Sequence, residues 1–155
     1  MSKFPFFRQP GAMDCGPACL RMIAWYFGKH YSWKTLRELS GVTGQGASLL
    51  GISEAAESIG FRTLAVEASP DPLELEGLVP FIAYWPREHF IVVCRMGRKR
   101  VWVADPAKGP RWYGRDDFMR RWSEGHSELG GGAIALLLEP GPAFYSREDE
   151  RNISE

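Results

Sequence analysis

Apolar residues between positions 15 and 60 recur at intervals of three and four, as they do on the buried face of an α-helix. The pattern predicts three helices, each ending at a glycine. Their inward positions are Leu20, Ile23, Ala24 and Phe27 in the first helix, Leu36 and Leu39 in the second, and Leu49, Ile52, Ala56 and Ile59 in the third. Ser32 and Ser48 are expected to cap the second and third helices.

Beyond residue 60 the apolar residues gather in short runs, which are typical of strands. Strands are predicted at 61–68, 80–85, 89–96, 100–105 and 132–139, with a short helical or turn segment at 70–78 and a short helix at 116–122 capped by Asp116. The third and fourth strands are close enough to form a hairpin about Gly97. Helices followed by an antiparallel sheet predict an α+β domain.

The composition is that of an ordinary globular protein, with 45% hydrophobic and 25% charged residues in a chain of 155. Nineteen basic residues balance nineteen acidic ones. The chain therefore has no overall field that would attract nucleic acid, and no nucleic-acid partner is expected. The basic stretch 95–100 is interpreted as a solvated turn. We expect one folded domain over residues 1–145 and a charged linker or tail, with no core to join, over 146–155.

No secretory signal and no run long enough to span a membrane is visible in the sequence. Three cysteines are an odd and low count for a chain that would rely on disulfides, so reduced thiols and a cytosolic location are expected. Cys19 and Cys94 lie in an apolar helix and an apolar strand, and are expected to pack rather than react.

Cys15 differs from these two because it lies between Asp14 and a Gly-Pro step, at the start of the first helix. A thiolate is favoured at a helix N-terminus, where the partial positive charge and free N–H groups stabilise the anion. As a nucleophile it would need a base, a group that orients the base, and donors for an oxyanion. Asp14 is expected to stabilise the helix start electrostatically or to contact a bound peptide.

Three histidines are candidates for the base. His30 follows a helix end and His126 lies in a glycine-bearing loop, so both are most simply surface residues. His89 opens an apolar strand, where the core would meet a cleft. If the hairpin turns about Gly97, position 89 falls opposite Asp105, and other short turns shift the pairing by only a residue or two. Cross-strand neighbours lie about 5 Å apart, so the hairpin predicts that Asp105 orients the imidazole of His89.

Gln9 lies six residues before Cys15, in a coil held by Pro10 and Gly11. Its amide N–H could stabilise an oxyanion together with the backbone N–H of Cys15. Other interpretations remain open: Cys15 as a buried core residue, a metal site formed by Cys15, Cys19 and a histidine, or a module that only binds peptides. The metal site is weak because the sequence has no second Cys/His pair at zinc spacing.

With Gln9, Cys15, His89 and Asp105 in this order, the sequence resembles a family of papain-like peptidase domains. These are the double-glycine leader peptidases at the N-terminus of bacterial peptidase-containing ABC transporters, which mature bacteriocins and related exported peptides. The resemblance runs from about Phe4 to about Tyr145. The segments that carry it are RQPGAMDCGPACLRMIAWYFGKHYS, GASLLGISEAAESIGFRT, HFIVV and VADPAKG.

The resemblance implies a papain-like cysteine peptidase fold, with N-terminal helices packed on an antiparallel β-sheet. By motif position it implies Cys15 as the nucleophile, His89 as the base, Asp105 as the group that orients it, and Gln9 as the oxyanion donor. Such domains cut a leader peptide after Gly-Gly or Gly-Ala, and the attached transporter exports the mature peptide. No metal or cofactor is expected.

The implied partners are the leader peptide and the transmembrane and ATP-binding parts of an ABC transporter, at the cytoplasmic face of the bacterial inner membrane. The sequence contains no P-loop glycine-lysine motif, so an excised domain is expected, with a free-standing peptidase as the alternative. The leader is expected to bind as a helix in an apolar groove. By size alone, the candidates for this groove are Trp25, Tyr26, Trp85 and Trp112.

Overall fold

Three helices precede the sheet, as the hydrophobic pattern predicts. The computed structural model describes residues 4–44, 46–68, 72–124 and 132–151. The helices are α1 (Cys15–Tyr26), α2 (Trp33–Ser40), α3 (Leu49–Ser58), α4 (Arg115–Ser123) and α5 (Pro142–Ser146), with a 3-10 helix at Pro72–Leu78. The strands are β1 (Phe61–Glu67), β2 (Phe81–Trp85), β3 (His89–Met96), β4 (Arg100–Asp105), β5 (Gly109–Gly114) and β6 (Ile134–Pro140). They form an antiparallel sheet in the order β1-β6-β2-β3-β4-β5, which confirms the α+β class.

The two predicted serine caps are confirmed, but one predicted inward residue is not. Ser32 and Ser48 each accept a hydrogen bond from the backbone N–H three residues on, at 3.1 and 2.9 Å. Leu36 is fully buried, whereas Leu39 is 37% exposed. Leu36 and Ser40, one turn apart, occupy the inward face of the short helix α2, so Leu39 is rotated toward solvent. Within the described ranges, no helix is long and apolar enough to cross a membrane.

β5 is the strand that the sequence pattern missed. Its sequence, GPRWYG, contains two glycines and a proline, which are uncommon inside strands. It nevertheless pairs with β4 along its length, with Trp112 opposite Trp102. The two strands form a hairpin, and its cross-strand contacts override a weak local preference.

The start of α4 also differs from the prediction. Gly114 is its N-cap residue, and no side chain makes a capping hydrogen bond, so the predicted cap by Asp116 is wrong. The carboxylate of Asp116 lies in the first turn, where a negative charge still favours the helix dipole. His126, which was expected at the surface, lies outside the described residues.

Two clusters of buried side chains lie on opposite faces of the sheet. The cluster beneath α1, α2 and α3 includes Leu20, Ile23, Leu36, Ile52, Ile59, Ile82, Phe90 and Val92. The cluster beneath α4 includes Phe81, Ile91, Val93, Phe118 and Trp122. Successive residues of β3 alternate between the two clusters, so this strand is buried on both faces. That burial fixes the position of β3 and of His89 at its first residue.

The short helix α5 closes the helical side of the molecule. Phe144 is fully buried, and its ring centroid lies 4.4 Å from that of Phe61. Gly60, which follows α3 and has a φ of 104°, lies against the backbone of Phe144. A Cβ on Gly60 would overlap the backbone of Phe144, so this approach of α5 requires glycine.

The segment that follows α5 is attached to the domain by polar contacts. The backbone N–H of His30 donates to Asp149 Oδ2 at 2.8 Å, and the backbone N–H of Glu150 donates to the carbonyl of His30 at 2.7 Å. The expected tail therefore has contacts as far as it is described, although these are not core contacts. The domain boundary at residue 145 stays a prediction, and residues 152–155 lie outside the described part of the chain.

Candidate active site

Cys15 is the first residue of α1, and 8% of its surface is exposed. Asp14 is the N-cap residue, but its side chain makes no capping hydrogen bond. Its carboxylate instead accepts a hydrogen bond from Arg37 Nε at 2.9 Å. Pro17 has no N–H, so the backbone donors at the start of this helix are those of Cys15 and Gly16, and neither is taken by a side-chain cap.

His89 and Asp105 lie at the same end of the β3–β4 pair, because one opens β3 and the other closes the antiparallel β4. A hydrogen bond of 2.7 Å joins His89 Nε2 to Asp105 Oδ1. Asp105 is fully buried, and the same oxygen accepts hydrogen bonds from the backbone N–H groups of Ala107 and Lys108 at 2.9 and 3.2 Å. The predicted contact between the imidazole and the carboxylate is confirmed.

The hairpin reaches this contact through a register that differs from the predicted one. Val92 lies opposite Ala104, and a bulge farther along β3 shifts the pairing by one residue. Continuing this register brings Ile91, rather than His89, opposite Asp105. Positions 89 and 91 share a face of the strand, so the His89 side chain still reaches the carboxylate along the diagonal.

The His89 ring interacts with both the Asp105 carboxylate and the Cys15 sulfur. Burial opposes a charged imidazole, but hydrogen bonds to Asp105 and Cys15, together with the attraction of their charges, raise the pKa of His89 to about 9. Burial also opposes a charged Asp105, but the hydrogen bonds from His89 and the backbone keep the pKa of Asp105 below its ordinary value. Because Nε2 faces Asp105, Nδ1 is the ring nitrogen left for the sulfur of Cys15. His89 is therefore protonated at neutral pH.

Gln9 lies next to the turn that follows Asp105. Its backbone N–H donates to the carbonyl of Pro106 at 2.9 Å, which holds the N-terminal coil against the end of β4. Its side-chain Nε2 donates to the carbonyl of Gly11 at 2.8 Å. A primary amide has two N–H donors, so this hydrogen bond leaves a second one for another acceptor. The oxyanion role of Gln9 stays a prediction.

The other two cysteines are packed, as predicted. Cys19 is fully buried, its Sγ donates to the carbonyl of Phe90 at 3.3 Å, and burial raises the pKa of its thiol. Burial also raises the pKa of the Cys94 thiol, which lies within β3. Across the described ranges, no three His, Cys, Asp or Glu side chains are grouped as they would be around a metal ion.

The aromatic residues proposed for a peptide groove lie in different parts of the molecule. Trp85 packs on Phe118 with ring centroids 5.1 Å apart, in the cluster beneath α4 and on the opposite face of the sheet from α1. Trp25 stacks on His30, with centroids 3.6 Å apart. Tyr26 and Trp112 are both exposed. Trp85 therefore lies on the other face of the sheet from the α1 residues Trp25 and Tyr26, and the residues that line a peptide groove stay a prediction.

Arg37 is the residue at this site that the sequence analysis did not single out. It contacts Asp14 across a separation of 23 residues, from a different helix. No periodicity or motif in a single sequence links two such positions. The opposite charges alone provide no signal, because nineteen basic and nineteen acidic residues offer many pairings.

Residues 3–126 match the model of the peptidase C39 family. The chain is 34% identical over 153 residues to the probable microcin-H47 secretion/processing ATP-binding protein MchF of Escherichia coli, which covers 98% of this chain and 20% of that protein. It is 31% identical over 151 residues to the transport/processing ATP-binding protein ComA of Streptococcus pneumoniae, which covers 93% of this chain and 20% of that protein. The chain therefore spans about a fifth of the length of these curated relatives.

Solved structures show the same fold. A double glycine motif protease from an AMS/PCAT transporter, in complex with the leader peptide, superposes with a TM-score of 0.78 at 29% identity, covering 90% of this chain and 93% of that one. The peptidase domain of Streptococcus ComA superposes with a TM-score of 0.77 at 29% identity, covering 90% of this chain and all of that one. The predicted papain-like fold is confirmed. The chain belongs to the peptidase C39 family of cysteine peptidases, as the resemblance drawn from its sequence implied.

Proposed function

We propose that this domain is an endopeptidase that cuts the leader from a precursor peptide after a Gly-Gly or Gly-Ala motif. The observation that carries the proposal is an imidazole, His89, that is hydrogen-bonded to the buried Asp105 carboxylate and interacts with the Cys15 thiol at the start of α1. The alternative is a domain that binds leader peptides for a transporter without cutting them. Catalysis is favoured because binding alone requires neither a protonated imidazole nor a thiol in contact with it.

In the proposed mechanism, Cys15 attacks as a thiolate, with the protonated His89 beside it. Its sulfur forms a bond to the carbonyl carbon of the second residue of the motif, and the carbonyl oxygen becomes an oxyanion. The backbone N–H of Cys15 and the amide of Gln9 would stabilise that oxyanion. His89 gives its proton to the leaving amine as the peptide bond breaks.

Water then hydrolyses the thioester that joins the leader to Cys15. His89, now neutral, takes a proton from the water as its oxygen attacks the acyl carbon. When the tetrahedral intermediate collapses, the C–S bond breaks and the thiolate leaves beside the protonated imidazole. The leader departs with a new C-terminal carboxylate, and the site returns to its starting state.

The proposal extends to the setting in which the reaction takes place. The names of the curated relatives describe secretion and processing ATP-binding proteins, so we propose attachment to the transmembrane and ATP-binding parts of an ABC transporter. The domain would then lie at the cytoplasmic face of the bacterial inner membrane, and the mature peptide would be exported. A slot closed over the substrate backbone would select glycine, because it leaves no room for a Cβ.

A synthetic precursor tests the function directly. A peptide with an apolar helical leader, a Gly-Gly pair and a short cargo should yield two products, cut after the second glycine, when analysed by mass spectrometry. A matched peptide with valine in place of the second glycine should stay whole, because its branched side chain would not enter the slot. Binding of the Gly-Gly peptide without products would favour the binding domain, and cleavage elsewhere would contradict the proposed specificity.

Gln9→Ala should reduce the turnover of the Gly-Gly peptide by roughly 10²–10³-fold if the amide donates to the oxyanion. The backbone hydrogen bond from residue 9 to Pro106 does not involve the side chain, so the coil should stay in position. Steady-state kinetics with the same peptide measure the effect, and KM should change little. A loss of less than about threefold would assign Gln9 a structural role only.

A further inference from the structure

Asp14 is a buried carboxylate that the proposed mechanism does not use. Its side chain is 8% exposed, and the residue directly precedes Cys15. At an N-cap position, a carboxylate ordinarily accepts hydrogen bonds from the first backbone N–H groups of its helix. Here it makes no such bond and instead accepts a hydrogen bond from Arg37 Nε at 2.9 Å. The chain thus holds this charge away from the start of α1.

The same carboxylate packs closely against the coil that carries Gln9. A Cβ on Gly11 would lie 2.9 Å from Asp14 Oδ2, so a larger residue there would displace the carboxylate from its present position. The backbone N–H of Asp14 donates to the carbonyl of Gly11 at 3.2 Å, and Gln9 Nε2 donates to that carbonyl at 2.8 Å. Gln9, Gly11 and Asp14 are therefore one connected unit, which Arg37 ties to α2.

An unpaired carboxylate at position 14 would interfere with the reaction in two ways. Its negative charge would oppose a thiolate on the neighbouring Cys15. If it capped α1, it would also bond the Gly16 N–H, because an N-cap side chain accepts from the second or third N–H of its helix and Pro17 has none; this would weaken the positive end of the helix that favours the thiolate. Both problems are absent while the carboxylate is paired with a guanidinium that lies on another helix.

We infer that Arg37 is a positioning residue for the peptidase reaction. Its ion pair with Asp14 balances a negative charge beside the nucleophile and leaves the start of α1 without a carboxylate cap. The inference rests on the proposed function. The side chain of Arg37 is 47% exposed, and α2 is held to the core by the fully buried Leu36, so removal of the guanidinium should leave the fold in place.

Arg37→Met keeps an unbranched apolar side chain in place of the arginine stem and removes the charge. We expect kcat for the Gly-Gly peptide to fall roughly tenfold or more, with KM within about twofold, because the inferred role of Arg37 concerns the thiolate and not peptide binding. Alkylation of Cys15 by iodoacetamide at pH 7 should slow in parallel, since the thiolate is the reacting form. Arg37→Lys, which keeps the charge, should retain most of both rates.

Rescue by a second substitution separates this role from a general structural one. Adding Asp14→Ala to Arg37→Met removes the unpaired carboxylate and should restore alkylation to within about threefold of the wild-type rate. Arg121→Met is the matched control. This substitution removes a 3.0 Å ion pair with Asp117 on α4, where the side chain of Arg121 is 51% exposed. It should leave both the turnover of the peptide and the alkylation of Cys15 unchanged.

Alkylation of Cys15 that Arg37→Met leaves unchanged, or a loss that Asp14→Ala does not relieve, would overturn the inference. Should Arg37→Met fail to fold, Asp14→Ala alone decides. Alkylation of Cys15 in Asp14→Ala at or above the wild-type rate supports the inference, and a roughly tenfold fall in that rate overturns it. Alkylation needs no substrate, so a wild-type protein that leaves the Gly-Gly peptide uncut would contradict the proposed function while this comparison still stands.

Discussion

Cys15→Ala should abolish cleavage of a double-glycine peptide and leave the fold intact. Without the sulfur no acyl-enzyme can form, so turnover should fall by roughly 10⁵-fold or more, to the detection limit of the assay. Alanine is smaller and is a good helix former, and the position is at the first residue of α1, so the melting temperature should change little. Mass spectrometry of the products measures the loss of cleavage, and a thermal melt measures whether the fold is kept.

Cys19→Ala provides the matched control, because Cys19 lies one turn farther along the same helix. Its thiol is buried and donates to a backbone carbonyl of β3, so its loss should lower the stability slightly and leave turnover within about twofold. Measurable turnover of the peptide by Cys15→Ala would refute the assignment of the nucleophile. A loss in both variants would point instead to a requirement for intact packing of α1.

Asp105→Asn should reduce turnover by roughly 10³–10⁴-fold while leader binding is kept. The amide cannot supply the negative charge that holds His89 protonated. Its oxygen can still accept the hydrogen bonds from Ala107 and Lys108, so the turn after β4 should survive. Asp117→Asn, which alters an exposed carboxylate on α4, is the control and should behave as the wild-type protein does. Steady-state kinetics and a peptide-binding titration provide the comparison.

The same substitution should move the pH dependence of the reaction. His89 has a pKa raised from 6.5 to about 9, so wild-type kcat/KM should fall as the pH rises through about 9 and the proton is lost. Stability has the same sign: the contribution of His89 is complete below pH 6.5 and is lost as the pH rises through about 9. In Asp105→Asn, the carboxylate no longer counters the effect of burial on His89, so the pKa of His89 should fall. The decline of kcat/KM on the alkaline side should therefore move to lower pH. A decline that does not move would contradict the role of the carboxylate.

Those features of the fold that depend on local pattern were predictable from the sequence. The helical spacing and the serine caps describe interactions within a few residues, and both are confirmed. Features that depend on how elements pack or pair with one another were not. Leu39 fits the helical spacing as well as Leu36 does, and only the packing of α2 decides which of the two is buried. β5 carries strand-breaking residues, and its pairing with β4 overrides them.

The candidate site follows the same division. The contact between His89 and Asp105 was predictable because it lies within one hairpin, and the face of a strand tolerates an error of two residues in register. The order of Gln9, Cys15, His89 and Asp105 was informative through its resemblance to a known family. The pairing of Asp14 with Arg37 depends on how α2 packs beside the start of α1, and no rule for a single sequence provides that information.

The attachment of the last described residues has a consequence for where this domain ends. Asp149 and Glu150 bind the chain after α1 through charged and polar groups, whereas α5 is anchored by the aromatic ring of Phe144. Dissolved ions weaken the contacts of the charged groups and leave the apolar packing of Phe144 largely unaffected. We therefore expect the segment that follows α5 to detach from the domain at high ionic strength before α5 itself does.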